Sequence, residues 1–306
     1  MTQTRARLVG NSFKLGYRFQ RYWDTSMAIA FFFAEVGTGL FLVSFYLNFI
    51  PGMIVGLAIA GTLKPYFHLA HMGVPSRSWR AILRPDRSWV SRGAIAIGVL
   101  IGFGILHLVN LGGGFAGAFE LPAIVGKLIG YLAVAAALTV MCYQGMAMSD
   151  SESFTLWASP LVPVSSFVYS LTAGSMTAMA IGWKVLTDEQ RAILSTLAMA
   201  LLLADMVIVA GILLHAKSKS KGGAFSVQLL TKECYAPYFG NLVLILGIML
   251  PAGILAAGSE LWLVELVATL AMLIGFFAFR LLMFKAAVFE PITHDFAGSI
   301  GLPRSL

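Results

Sequence analysis

Eight runs of apolar residues, each close to or beyond the length needed to cross a bilayer, constrain this chain more than any motif does. They fall at about 26–49, 51–72, 93–110, 122–143, 160–183, 190–216, 237–257 and 261–288. A helix rising ~1.5 Å per residue needs about 20 mostly apolar residues to span the hydrocarbon core, whereas a barrel strand needs only about 10. Inside lipid each backbone N–H and C=O must find a partner within the protein, so runs of this length are helices. The charge content agrees: 11% of the 306 residues are charged, where a soluble domain carries about 25%. The sequence therefore predicts an all-α integral membrane protein of eight transmembrane helices, arranged as two four-helix bundles. A basic segment, 1–25, precedes this domain (26–288), and a tail, 289–306, follows it. No small-residue cleavage site follows the first run, which reads as a retained helix and not as a leader.

Only Asn48–Pro51 separates the first two runs, so they form a tight hairpin. Trp23, Tyr46, Trp183, Tyr238 and Trp262 fall near span ends, where amphipathic rings prefer the interface. The basic residues lie mostly on one side. Arg5, Arg7, Lys14, Arg18 and Arg21 precede the first span, and Arg77, Arg80, Arg84, Arg87 and Arg92 follow the second. Lys217, Lys219, Lys221 and Lys232 follow the sixth, and Arg304 is in the tail. The opposite loops hold only Lys184 and Arg191. By the positive-inside rule both termini are cytoplasmic. The net charge of +7 is thus a topology signal flanking the spans and gives no reason to expect nucleic acid. Cys142 and Cys234 form no C-x-x-C, so the chain has no ligand set of its own for an iron–sulfur cluster or structural zinc.

Two motifs bracket the first large cytoplasmic loop: His71-Met-Gly-Val-Pro-Ser-Arg-Ser-Trp79, then Ser88-Trp-Val-Ser-Arg-Gly93. The pattern H-x-G-x-P-x-R-x-W followed by S-W-x-S-R-G resembles the NrfD/PsrC family, quinone-binding membrane subunits of iron–sulfur and molybdenum oxidoreductases. Further segments resemble the family in order: Tyr143-Gln-Gly145, Trp157-Ala-Ser-Pro160-Leu-Val-Pro163, Ser170-Leu-Thr-Ala-Gly174, Pro251 and the run from Arg280. The likeness covers roughly residues 27 to 290. Leu171 stands where the family usually has Gly. After Asp205 the chain offers Gly211 and His215 where a Glu is common, and the start of the first span lacks the polar Asn/His pair of some members. The resemblance implies a bacterial inner-membrane subunit that exchanges electrons between menaquinone or ubiquinone and a four-cluster-ferredoxin-like iron–sulfur subunit. That subunit would relay to a catalytic, molybdopterin-type subunit; the clusters and molybdopterin belong to these partners, and the chain is non-catalytic alone. Many members hold periplasmic partners on the side of the motif loop, whereas here the charge bias puts that loop, and the partners, in the cytoplasm.

A quinone site needs hydrogen-bonding groups for the ring oxygens, an apolar slot and a proton route. His71 ends the second span and Tyr143 the fourth, so both emerge at the cytoplasmic face; with Trp157 they are the quinone-site candidates. An imidazole donates or accepts a proton near neutral pH. Ionisable residues deep in spans are expensive and usually functional. Glu35 lies about 16 Å along the first span and Lys64 about 12 Å from the end of the second, at ~1.5 Å per residue. Their similar depths predict a Glu35–Lys64 ion pair. Lys64, His68 and His71 share one helix stripe that fits a proton path, with Asp205 as the acid of the second half. The five loop arginines fit docking of an acidic iron–sulfur subunit, or of anionic lipid, and the Ser149–Glu152 acidic patch is placed to pin them.

Two rival readings are kept. A b-type cytochrome anchor would use His71 and His215 as axial ligands; His107 is near the opposite face and His294 is in the tail, so haem is the weaker reading. A secondary transporter would place coupling charges at the midplane, but the halves show no self-similarity and no pair of broken helices is evident in the sequence. The glycine-rich stretch 112–117 follows no strand and precedes no Gly-Lys-Ser/Thr, so it is no phosphate loop.

Overall fold

A computed structural model of the chain describes residues 18–111, 121–258 and 261–290. The 112–117 stretch, Arg5, Arg7, Lys14, His294, Arg304 and most of both terminal segments lie outside the described residues. Helix α1 (Thr25–Tyr46) begins where the Asp24 carboxylate accepts the Met27 N–H at 3.1 Å, occupying one of the donors a helix start leaves open. It ends where Asn48 turns to φ +52°, a left-handed geometry in which Asn is enriched, and Phe49 N–H reaches back to Ser44 C=O at 2.8 Å. Helix α2 (Ile50–His71) then starts with Pro51, whose missing N–H costs nothing in a first turn. The hairpin expected from Asn48–Pro51 is present.

The remaining spans are α3 (Trp89–Leu111), α4 (Ala123–Ser149), α5 (Leu161–Ile181), α6 (Asp188–Lys219), α8 (Ala236–Ala256) and α9 (Trp262–Lys285). All eight predicted spans are therefore present, and the chain is an all-α, multi-span membrane protein. A short surface helix, α7 (Lys221–Thr231), follows α6 after Ser220, whose hydroxyl accepts the Gly223 N–H at 3.0 Å. The hydropathy runs place no helix between 216 and 237. They also end the fourth span at Tyr143, whereas α4 continues to Ser149. Tyr143 is thus about 9 Å inside the helix end, at ~1.5 Å per residue.

Packing divides the spans into two sets of four. Helix α1 packs on α2 and α4, and α3 lies against α4. In the second set α5 packs on α6 and α9, and α8 on α9. The two sets meet where α1 crosses α5. There a Cβ on Gly39 would sit 1.7 Å from the Ser170 carbonyl oxygen, and one on Gly174 2.3 Å from that of Gly39. Only glycine permits this approach, the usual device of helix pairs in lipid. Strands β1 (Arg18–Phe19) and β2 (Val288–Phe289) pair antiparallel, so the two ends of the described chain share one face, as an even number of spans requires. On the far face Arg191, at the start of α6, bonds Glu265 at the start of α9 at 2.7 Å.

Two spans contain π-helical segments. In α2 it covers Ile59–Leu63 and precedes Pro65; in α8 it covers Phe239–Met249, between Pro237 and Pro251. Proline has no N–H to give the carbonyl four residues back, and at Lys64 the N–H reaches Ile59 C=O, five residues back. Sequence reading missed both interruptions. The spans stay continuous through them, and are bulged, not unwound.

Candidate functional site

At the C-terminal end of α2, His71 Nδ1 lies 3.0 Å from Asp24 Oδ1. The carboxylate that caps α1 therefore also orients this imidazole and leaves Nε2 for another partner. Burial pushes the Asp24 carboxyl up, but the Met27 N–H, His71 and the Ser26 N–H together outweigh it and hold the group below its ordinary value. One turn earlier, His68 Nδ1 is buried without a hydrogen-bond partner among the described residues.

Deeper by a further turn, buried Lys64 places its ammonium 5.5 Å from the centre of the Tyr143 ring, within cation–π range. Tyr143 is also buried, and a Cβ on Gly93 would meet its Cδ2 at 2.3 Å. The S-W-x-S-R-G motif thus has a structural meaning here, because its glycine admits the Tyr143 ring. Its other members close the arginine loop onto α3. Ser91 Oγ accepts the Arg84 N–H at 3.2 Å, and Arg92 donates to the carbonyls of Pro85 (2.8 Å) and Asp86 (3.1 Å). Arg92 also covers the Trp89 ring at 4.2 Å.

The expected Glu35–Lys64 ion pair does not form. Glu35 pairs instead with Arg280 of α9: Nε donates to Oε2 at 2.9 Å, and Nη2 makes an ion contact with Oε1 that lies off the hydrogen-bond direction. Nη2 also donates to Ser166 Oγ at 2.9 Å, and the guanidinium stands 5.6 Å from the Tyr169 ring. Both charged side chains are almost wholly buried, 1% exposed for Arg280 and 3% for Glu35. Asp205 of α6 accepts from Thr172 Oγ1 at 2.8 Å, while its other oxygen, the Tyr169 hydroxyl and Arg280 Nη1 have no hydrogen-bond partner among the described residues. Glu35, Ser166, Tyr169, Thr172, Asp205 and Arg280 therefore form one polar patch inside the membrane, where unsatisfied polar groups are costly and mark function. The sequence reading assigned no role to Arg280; a lone arginine within an apolar run was the available signal.

Trp157 is placed differently from the other two quinone-site candidates. Its Nε1 donates to Met283 C=O at 2.7 Å, and its ring stacks on Trp23 with centroids 5.1 Å apart and packs edge-on to Phe284. Trp23 and Asp24 are consecutive, so the start of α1 touches Trp157 with one residue and His71 with the next. The structure records no contact between His71 and Tyr143; Lys64 and His68 lie between them along α2.

The arginine loop carries a 3-10 helix, Pro75–Leu83. Arg77 and Arg84 are exposed, with no side-chain partner among the described residues; Arg87 pairs with Asp86 at 3.1 Å and Arg80 leans on Trp79. No loop arginine pairs with Asp150 or Glu152, so the acidic patch does not pin the loop as expected. Of the two histidines weighed as haem ligands, His71 is held by Asp24 and His215 Nε2 lies 3.2 Å from Ala158 C=O. They sit in different bundles. No protein-family model matches this chain, and no curated protein matches it.

Quinone is the cofactor implied by the motifs, and the residues at the His71 end fit one. Imidazole Nε2 and the Tyr143 hydroxyl are unengaged among the described residues, and His68 Nδ1 is an orphaned buried atom beside them in the stripe. Phe67, next to His68 in sequence, stacks on Phe33 of α1 at 5.9 Å.

Proposed function

We propose that this chain is a quinone-reactive membrane subunit of NrfD/PsrC type. In this reading it anchors a four-cluster-ferredoxin-like iron–sulfur subunit, and through it a molybdopterin-type catalytic subunit, to the cytoplasmic face of a bacterial inner membrane. The observation that carries the reading is His71, fixed by Asp24 at the membrane surface and continued inward by His68 and Lys64 to the Tyr143 ring. A quinone would supply two-electron, two-proton redox chemistry at this end of α2. His71 would hydrogen-bond a ring oxygen through Nε2 and hold or release its proton there. Asp24 keeps the imidazole in register. His68 and Lys64 offer successive proton-holding groups a turn apart. Arg77 and Arg84 present exposed guanidinium groups with no partner among the described residues, which suit carboxylates on a docked subunit.

The test has two parts. Purification in mild detergent with mass spectrometry of what accompanies the chain should find an iron–sulfur subunit. His71→Ala should then abolish quinone-coupled turnover while the complex still assembles. A solitary chain that binds no quinone, or full turnover in His71→Ala, would defeat the reading.

A further inference from the structure

A cavity lies at the face of the membrane opposite His71, between the ends of α1, α3 and α4, with a volume of about 210 Å³. Phe45, His107, Asn110, Lys127 and Tyr131 line it. Two sequence features build it. His107 and Asn110 are three residues apart, on one face of α3, and Gly126 and Gly130 are four apart, on one face of α4. A Cβ on Gly126 would come within 2.8 Å of Asn110 Nδ2, and one on Gly130 within 3.0 Å of His107 Nδ1. The glycines therefore clear space against a polar stripe.

Among the described residues that stripe has no partner from the chain. His107 Nδ1 is buried and has no hydrogen bond, and neither the Asn110 amide nor the Lys127 ammonium has a partner among the described residues. A buried, unpaired His107 Nδ1 is costly, and a ligand oxygen or hydroxyl would relieve it. Rings complete the cavity: Phe45 lies 4.9 Å from His107, centre to centre, and 6.4 Å from Tyr131. Donors on one side and aromatic faces on the other suit a flat ring bearing acceptor oxygens. The volume admits a headgroup and no more, and the exposed, lipid-facing Leu106, Ile124 and Leu128 around it give an apolar tail a way out. We infer that this cavity is a second quinone headgroup site, on the face opposite His71, with His107, Asn110 and Lys127 as its polar contacts. The inference rests on the quinone reading above, but its residues are separate from those of that site.

The experiment is photolabelling of the full chain in its native membranes with a photoreactive azidoquinone, with adducts mapped by mass spectrometry. Two sets of adducts are expected, one around His71 and Tyr143 and one around His107 and Tyr131, both suppressed by excess unlabelled quinone. Gly130→Leu, which fills the cavity, and His107→Leu, which removes a polar contact, should each erase the second set and leave the first. Adducts confined to the His71 end would overturn the second site and leave the main reading standing. Adducts confined to the His107 end would do the reverse. No quinone-suppressible adduct at either end would overturn both, and suppression at the His107 end by anionic phospholipid but not by quinone would overturn the second site in favour of a lipid.

Discussion

Arg280 and Glu35 give the sharpest thermodynamic test of the membrane core. Replacing Arg280 with Met removes the guanidinium from two partners at once, the Glu35 carboxylate and Ser166 Oγ, each 2.9 Å away. Glu35 is 3% exposed, so solvent cannot take over. Breaking a buried pair by removing one member costs about 3–5 kcal/mol, because the other charge is stranded, while replacing both by packed apolar residues is often neutral or better. Arg280→Met and Glu35→Met should therefore each lose about 3–5 kcal/mol of stability, and the double variant should fall within about 1 kcal/mol of the parent. The coupling energy would then exceed the few tenths seen between independent sites, by roughly tenfold or more. Unfolding in mixed micelles of rising dodecyl sulfate content, followed by far-ultraviolet circular dichroism, reads these differences. Single variants that lose under about 1 kcal/mol would refute the stranded-charge argument. So would a double variant that loses the sum of the singles.

Three further outcomes are expected. Thr172→Val removes the hydroxyl that bonds Asp205 and should lower stability by about 1–3 kcal/mol, with Thr172→Ser restoring it in the same unfolding assay. Arg77→Ala with Arg84→Ala should weaken retention of the soluble subunit on affinity purification without changing the melting midpoint, whereas Arg92→Ala, which frees the Pro85 and Asp86 carbonyls, should lower the midpoint itself. Because the folded Asp24 carboxyl titrates below its ordinary value, its stabilisation is complete above about pH 4 and is lost as pH falls through the folded value. Amide exchange at Met27, measured against the intrinsic rate, should accordingly accelerate only at the acid end of that range. Asp24→Asn should remove this pH dependence while keeping the cap, since Asn caps as well as Asp.

The axial layout of this protein is written in its hydropathy, and much of the lateral layout is not. Span positions follow from length and solvent preference alone, so eight runs gave eight helices. The helices that carry the site are apolar on nearly every side, and which face meets which neighbour leaves little trace in such a sequence. Trp157 illustrates this. Its place just before the fifth span was legible, but the bond from its indole to Met283, over a hundred residues away, was not. Helix α7 was missed for a local reason: Lys217 to Lys221 followed by Gly222-Gly223 has the composition of a loop, and glycine is a poor helix former. What holds it is the Ser220 cap and the Glu290 carboxylate on Gly222 N–H at 3.0 Å.

The Glu35–Lys64 expectation failed for two reasons that are physical and separable. It assumed that equal depth on hairpin-linked helices implies contact, which requires α2 to be regular. The π segment at Ile59–Leu63 breaks that assumption, because one extra residue in a turn rotates everything after it by about 100°. Lys64 is the first residue beyond it, and it faces Tyr143. The second reason is the extra length of α4, which sinks Tyr143 to within a few ångströms of the depth of Lys64, about 9 against 10 Å from their helix ends at ~1.5 Å per residue. Glu35, left without the lysine, is met by Arg280 from the other bundle. The consequence is chemical as well as architectural. In the first bundle the buried Lys64 lies over the Tyr143 ring. In the second, Arg280 is neutralised by a carboxylate drawn from α1, and its charge serves to join the two halves. Pro65, which follows the bulge and has no N–H to give Gly61 C=O, thus bears on where Lys64 points.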